Sequence, residues 1–103
     1  MFALVVRFDC RDPAAAARFD ELTAEVVREI AEKEPGTLTY ATHTVAEEPL
    51  ARIFYEVYRD PDAFRAHEAA EHVRLFHARK DPLLADTRVE FLQPGAGTSR
   101  DQG

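Results

Sequence analysis

The sequence has no tryptophan, one cysteine and only four glycines in 103 residues. A lone cysteine, Cys10, cannot form an internal disulfide, which fits a reducing cytoplasm. Three of the four glycines fall within residues 94–103, so no glycine-rich loop remains to cradle a phosphate. A G-x-S-x-G nucleophile elbow is missing too. Basic residues are in deficit: 13 Lys and Arg against 19 Asp and Glu give a net charge of −6. That speaks against nucleic acid and anionic membranes as partners, since both need basic patches. No run of about 18 apolar residues exists, so no transmembrane helix is expected. The opening segment MFALVVRF lacks the basic start of a signal peptide. What these absences leave is a small, acidic, soluble domain, expected in the cytoplasm.

Periodicity divides the chain into six elements. Residues 2–8 are short, apolar and β-rich and predict a first strand, with Leu4, Val6 and Phe8 on one face and Ala3, Val5 and Arg7 on the other. Asp12-Pro13 is a cap followed by a first-turn proline. Residues 14–33 then run without Gly or Pro, with Phe19, Leu22, Val26 and Ile30 at helical spacing, which predicts an amphipathic helix of about five turns. Glu34-Pro35-Gly36 breaks it, the proline stopping the helix and the glycine being free to take positive φ. Thr37–Val45 and residues 50–58 read as an antiparallel hairpin across the turn at residues 46–49. Asp60-Pro61 repeats the cap-plus-proline device, and the apolar stripe of 60–80 shifts register near residues 69–71, predicting two short helices. Residues 87–92 form the last strand, and 93–103 a frayed tail, so the folded domain is expected over residues 1–93.

The order β-α-β-β-α-β predicts an α+β, ferredoxin-like sandwich: a four-stranded antiparallel sheet with its helices on one face. The other face is expected to be covered as well. Ile53, Tyr55 and Val57 alternate with Phe54, Glu56 and Tyr58, and Val89 and Phe91 alternate with Arg88, Glu90 and Leu92, so both faces carry large apolar groups. A second copy of the chain is the simplest cover, and a homodimer is expected.

Three of the four histidines, His67, His72 and His77, recur at intervals of five. On a regular helix that turns successive side chains roughly 140° apart, so they do not converge on a metal, and no metal site is expected. His67 is placed differently from the others. It lies three residues after Phe64 on the stripe that faces the sheet, and Glu56 sits mid-strand on the side shared with Phe54 and Tyr58. A buried acid must find a partner or stay protonated, so Glu56 could hold His67 oriented for acid–base work. The alternative has Glu56 facing outward and pairing with an arginine on a neighbouring strand. Tyr40, Phe54, Tyr58, Phe64 and Phe76 could line an apolar pocket or form plain core. Cys10 reads as a small strand-end residue.

Together, Glu34-Pro35-Gly36-Thr37-Leu38-x-Tyr40, Phe54-Tyr55-Glu56-Val57-Tyr58, Ala63-Phe64-x-x-His67 and His72-x-x-x-Phe76 resemble the antibiotic biosynthesis monooxygenase superfamily, over roughly residues 2–92. The resemblance implies a dimeric α/β barrel in which two sheets pack face to face. It also implies oxygenation of a small aromatic quinol, anthrone or polyketide-type substrate without a cofactor, because the deprotonated substrate itself reduces dioxygen. His67 would then be the base, oriented by Glu56. Tyr40, Tyr58, Arg7 or His72 would donate to the developing oxyanion. A haem-degrading branch of the fold has a helix histidine about where His77 falls, but it also uses a β1 asparagine and a tryptophan where this chain has Arg7 or Phe8 and His67. The other functional class open to such a chain is a non-catalytic dimeric barrel that binds a small hydrophobic molecule or serves a stress-related role.

Overall fold

The computed structural model describes residues 1–100. Strands β1 (Phe2–Cys10), β2 (Thr37–Val45), β3 (Glu48–Tyr58) and β4 (Leu84–Leu92) form one sheet in the order β2-β3-β1-β4. All three neighbouring pairs are antiparallel. Helices α1 (Pro13–Lys33), α2 (Pro61–Ala69) and α3 (Glu71–Lys80) lie on one face, and a 3-10 turn, Asp81–Leu83, leads into β4. This is the ferredoxin-like α+β arrangement. Residues 93–100 are exposed and carry no helix or strand. The remainder of the expected tail, 101–103, lies outside the described residues.

Local chemistry sets the helix starts. Asp12 and Asp60 each stand in extended backbone and accept a 2.8 Å hydrogen bond from the N–H three residues on, with a proline at the first helical position. The second helical region does divide. Ala70 takes extended backbone (φ −66°, ψ 138°), which ends α2 and starts α3 on a new axis. Strand ends differ from expectation by a few residues. β1 runs on to Cys10 and β4 begins at Leu84. β3 begins at Glu48, so the hairpin turn is only Ala46-Glu47, with Glu47 at φ 66°. Pro49 is tolerated inside β3 because the pairing jumps from Val45–Glu48 to Thr44–Arg52 and leaves it unpaired with β2.

Even-numbered residues of β1 (Leu4, Val6, Phe8, Cys10) point under the helices and are buried. Phe19, fully buried, brings α1 onto them, with ring centroids 5.2 Å from Phe8, 5.8 Å from Phe54 and 6.1 Å from Phe76. The helices do not cover the whole sheet. Register places Val89 and Phe91 of β4 on the helix side, opposite Val6 and Leu4, yet they are 46% and 61% exposed. Val89 and Phe91 therefore belong to an opening beneath the helices, whereas Leu92, opposite Ala3, joins Val5, Ile53, Tyr55 and Val57 on the outer face.

Gly36 does not use the positive φ open to it. Its backbone is not left-handed; a Cβ there would lie 2.7 Å from the Cβ of Ala63. The glycine lets α2 approach the start of β2. Gly36→Ala is expected to cost about 1–3 kcal/mol by overpacking, measured by urea unfolding. Gly95→Ala, with nothing within 4 Å of the new methyl, is the control and should change nothing.

Candidate active site

Between the helices and the uncovered β4 edge lies a cavity of about 220 Å³. Its apolar wall comes from Leu4, Val6, Phe8, Phe64, Phe76, Val89 and Phe91, and its polar groups are Tyr40, Glu56, His67, Glu68, His77, Lys80 and Thr87. A cavity of roughly 150 Å³ accommodates benzene, so this one suits one substituted ring or two fused rings.

His67 is 3% exposed and lies between two phenols, with ring centroids 5.5 Å from Tyr40 and 5.1 Å from Tyr58. Its partner is not Glu56. Nδ1 is 2.7 Å from Oε1 of Glu34, the residue that ends α1. Thr37 Oγ1 donates to the same oxygen at 2.7 Å, and His72 Nε2 meets the other one. Burial alone would raise the Glu34 carboxyl, but the hydrogen bonds from His67 and Thr37 outweigh it and hold the group below the ordinary range. Glu34 is thus an anion, so the ring nitrogens facing it donate. His67 keeps Nε2 unprotonated in its neutral form, 3.9 Å from Glu68 Oε2 and beyond hydrogen-bond reach.

Glu56 takes the inward position, and the outward alternative with an arginine partner is not adopted. It accepts a 2.6 Å hydrogen bond from the Tyr58 hydroxyl. Burial raises its carboxyl despite that bond and the nearby His67. The same burial, with Glu56 alongside, pushes the Tyr58 phenol far up, so Tyr58 stays a donor. Burial likewise keeps Tyr40 a neutral phenol. Among the described residues the Tyr40 hydroxyl makes no hydrogen bond, and Tyr40 lines the cavity.

The other residues singled out in the sequence fall in three places. Phe64 and Phe76 line the cavity, whereas Phe54 is buried behind it, stacked 6.4 Å from Phe76. Arg7 lies on the opposite face of the sheet, hydrogen-bonded to Asp9 and Glu48, because odd residues of β1 point outward. Tyr58 and His72 face Glu56 and Glu34 and do not line the cavity. The 140° divergence of the histidines applies only to a regular helix, and this stretch is two helices. The break at Ala70 turns α3 so that His67 and His72 converge on one carboxylate. Among the described residues no three His, Cys, Asp or Glu side chains are arranged to hold a metal ion, and no helix is long and apolar enough to cross a membrane. Cys10 is buried, and burial raises its thiol, as suits a core residue.

Three residues that composition did not point to complete the site. Glu34 was visible only as part of the Glu-Pro-Gly break. Glu68 accepts from His77 at 3.2 Å at the cavity's edge. Lys80 is turned inward at the end of α3.

Residues 1–79 match the family model of the antibiotic biosynthesis monooxygenases. The chain belongs to that family. Solved structures agree on the fold. A Caulobacter crescentus protein of the same family name is 23% identical, with a TM-score of 0.85 over 92% of this chain and 90% of its own. A protein from Mycobacterium tuberculosis is 24% identical, with a TM-score of 0.83 over 95% of this chain and 98% of its own. An antibiotic biosynthesis monooxygenase at 22% identity aligns with a TM-score of 0.84 over 93% of this chain and all of its own. No curated protein matches this antibiotic biosynthesis monooxygenase family member.

The two carboxylates predict opposite responses to pH. Glu34 has a folded-state pKa below its unfolded value of ~4.3, so its contribution is complete above about pH 4.5 and is lost as pH falls through the folded value. Glu34→Gln should lower stability at pH 7 by about 1–3 kcal/mol and shrink the loss on acidification. Glu56 has its folded value raised, so its contribution is present below the unfolded value and is lost as pH rises through the folded one. Glu56→Gln should therefore be neutral or stabilising at pH 8. Denaturant titrations of both variants from pH 3 to 8 check the pair, and a marked loss for Glu56→Gln at pH 8 would contradict it.

Proposed function

We propose that this family member is a monooxygenase that oxidises a small electron-rich aromatic, a quinol, naphthol or anthrone, in the cavity beneath α2 and α3. The observation that carries this reading is His67: one ring nitrogen is tied to the buried Glu34 anion and the other is left free in a cavity that Tyr40 also lines. His67 Nε2 takes the substrate's acidic proton, and the Glu34 carboxylate offsets the charge of the imidazolium that forms. The Tyr40 hydroxyl donates to the oxyanion, in a site whose apolar walls make that bond strong. The electron-rich anion then reduces dioxygen. The substrate loses two hydrogens and gains one oxygen atom while the second leaves as water, so all four electrons come from the substrate and no cofactor is required. Glu56, held toward its neutral form by burial, can return a proton.

Two chains form the working unit in this proposal. The outer face presents Val5, Ile53 and Tyr55 in one apolar surface, with Arg7 and Arg88 beside Glu90 and Glu48. A second sheet with the same mixture buries the apolar groups and can pair the charges. The single buried cysteine suits a cytoplasmic setting.

Oxygen consumption with a panel of quinols, naphthols and anthrones is the direct test. His67→Ala should lower the rate at least about tenfold, and Tyr40→Phe should lower it with a smaller effect on KM than on kcat. Ring binding without oxygen uptake for any substrate would assign the cavity to a carrier instead. Sedimentation should give a dimer; a stable 11.6 kDa monomer at micromolar concentration would remove the two-chain unit.

A further inference from the structure

Lys80 is unusual among the charged residues. It is the last residue of α3, a position from which a long side chain easily reaches water and the helix C-terminus. Instead its side chain is 7% exposed and lines the cavity. Its Nζ sits 5.2 Å from the ring centroid of Phe8 and 5.9 Å from that of Phe76, both cavity walls. Two aromatic faces favour a cation there, but they use none of its N–H donors. Its one hydrogen-bonded partner among the described residues is Asp81, at 2.7 Å, whose carboxylate is itself 67% exposed. The acids on the cavity wall are engaged elsewhere, Glu68 with His77 and Glu56 with Tyr58. An ammonium with donors to spare therefore borders an apolar space, where an anionic oxygen would be held far more strongly than in water.

Sheet register fixes where this charge lies relative to the proposed chemistry. Tyr40, Glu56 and Leu4 are opposite one another across β2, β3 and β1, and they mark the end of the cavity near His67. Phe8 is four residues further along β1, about 13 Å away at the strand repeat. Val6, Val89 and Phe76 provide apolar wall between the two ends. We infer that Lys80 is an anion-binding subsite, and that the cavity takes an aromatic acid whose anionic oxygen group lies at the opposite end of the ring system from the position near His67 and Tyr40. This deepens the oxygenase reading and rests on it for the assignment of the reactive end, but the binding it requires does not depend on turnover.

The test uses two ligands that differ only in the charged end, 6-hydroxy-2-naphthoate and 2-naphthol, with binding followed by calorimetry in low salt at pH 7. The wild-type protein should bind the carboxylate about tenfold or more tightly than the naphthol. Lys80→Met should reduce that preference to about twofold or less while leaving 2-naphthol affinity within about twofold, and Lys80→Arg should retain it. Equal affinity for the two ligands in the wild type would overturn the subsite, without need of any variant. So would a preference that survives Lys80→Met, or a uniform loss of both ligands with a lowered melting temperature, which would make Lys80 structural. Preference without oxygen uptake would keep the subsite and remove the oxygenase; uptake dependent on His67 without preference would do the reverse.

Discussion

The Glu34 carboxylate is the interaction on which the functional half of the molecule depends. It sits at the end of α1 and accepts from Thr37 of β2, His67 of α2 and His72 of α3. One buried anion thus ties four elements that share few other polar contacts. Burying a carboxylate is costly when it is alone. Here Thr37 and His67 donate to one oxygen and His72 to the other, so the cost is offset and the geometry becomes specific. Gly36, two residues on, has a related part: it lets α2 come close enough for His67 to reach. The position of the imidazole is therefore set by the end of one helix and the steric allowance of one glycine.

The cavity follows from a mismatch in area between the two layers. The long helix α1 covers the sheet through Phe19, Leu22, Val26 and Ile30, while the second helical region is split into two short pieces by Ala70. Those pieces meet β4 through the edge contact of Phe64 with Phe91 but leave most of it exposed, so Val89 and Phe91 rim an opening. Filling that space with larger side chains would stabilise a domain of this size, which has little core to spare. Leaving it open is a cost in stability that makes sense when a ligand fills it, since binding to the native state returns stability by mass action.

Local signals in the chain foretold most of the fold and only part of the site. Asp12-Pro13 and Asp60-Pro61 act through neighbouring backbone groups, so their helix starts could be read directly, as could the inward direction of His67. What could not be read depends on contacts between distant segments. Glu56 was the obvious partner for His67 because both face the same layer, yet the side chain that reaches Nδ1 comes from a helix end 33 residues earlier. The divergence drawn from the five-residue histidine spacing holds only on a regular helix, and Ala70 changes the axis between His67 and His72. Arg7 was correctly placed on its strand but on the face away from the cavity. Lys80 at a helix terminus looks like an ordinary surface cation, and its inward position shows only in the fold, where Nζ lies over the rings of Phe8 and Phe76.

Around His67 the protein shifts two carboxylates in opposite directions, and that difference assigns their parts. Glu34 receives hydrogen bonds from donors on three sides, which favours its charged form strongly enough to reverse the effect of burial. Glu56 has one hydrogen-bond donor, Tyr58, and burial prevails. Exchanging their surroundings would leave His67 beside a carboxyl shifted toward neutrality, with less charge to balance an imidazolium, and would place a more acidic group near a substrate oxyanion. An anion behind the base, a carboxyl that burial shifts toward its neutral form, and a cation beside Phe8 give the cavity an electrostatic gradient. A neutral hydrocarbon has no use for such a gradient, whereas an aromatic that is acidic at one end and deprotonated at the other is oriented by it.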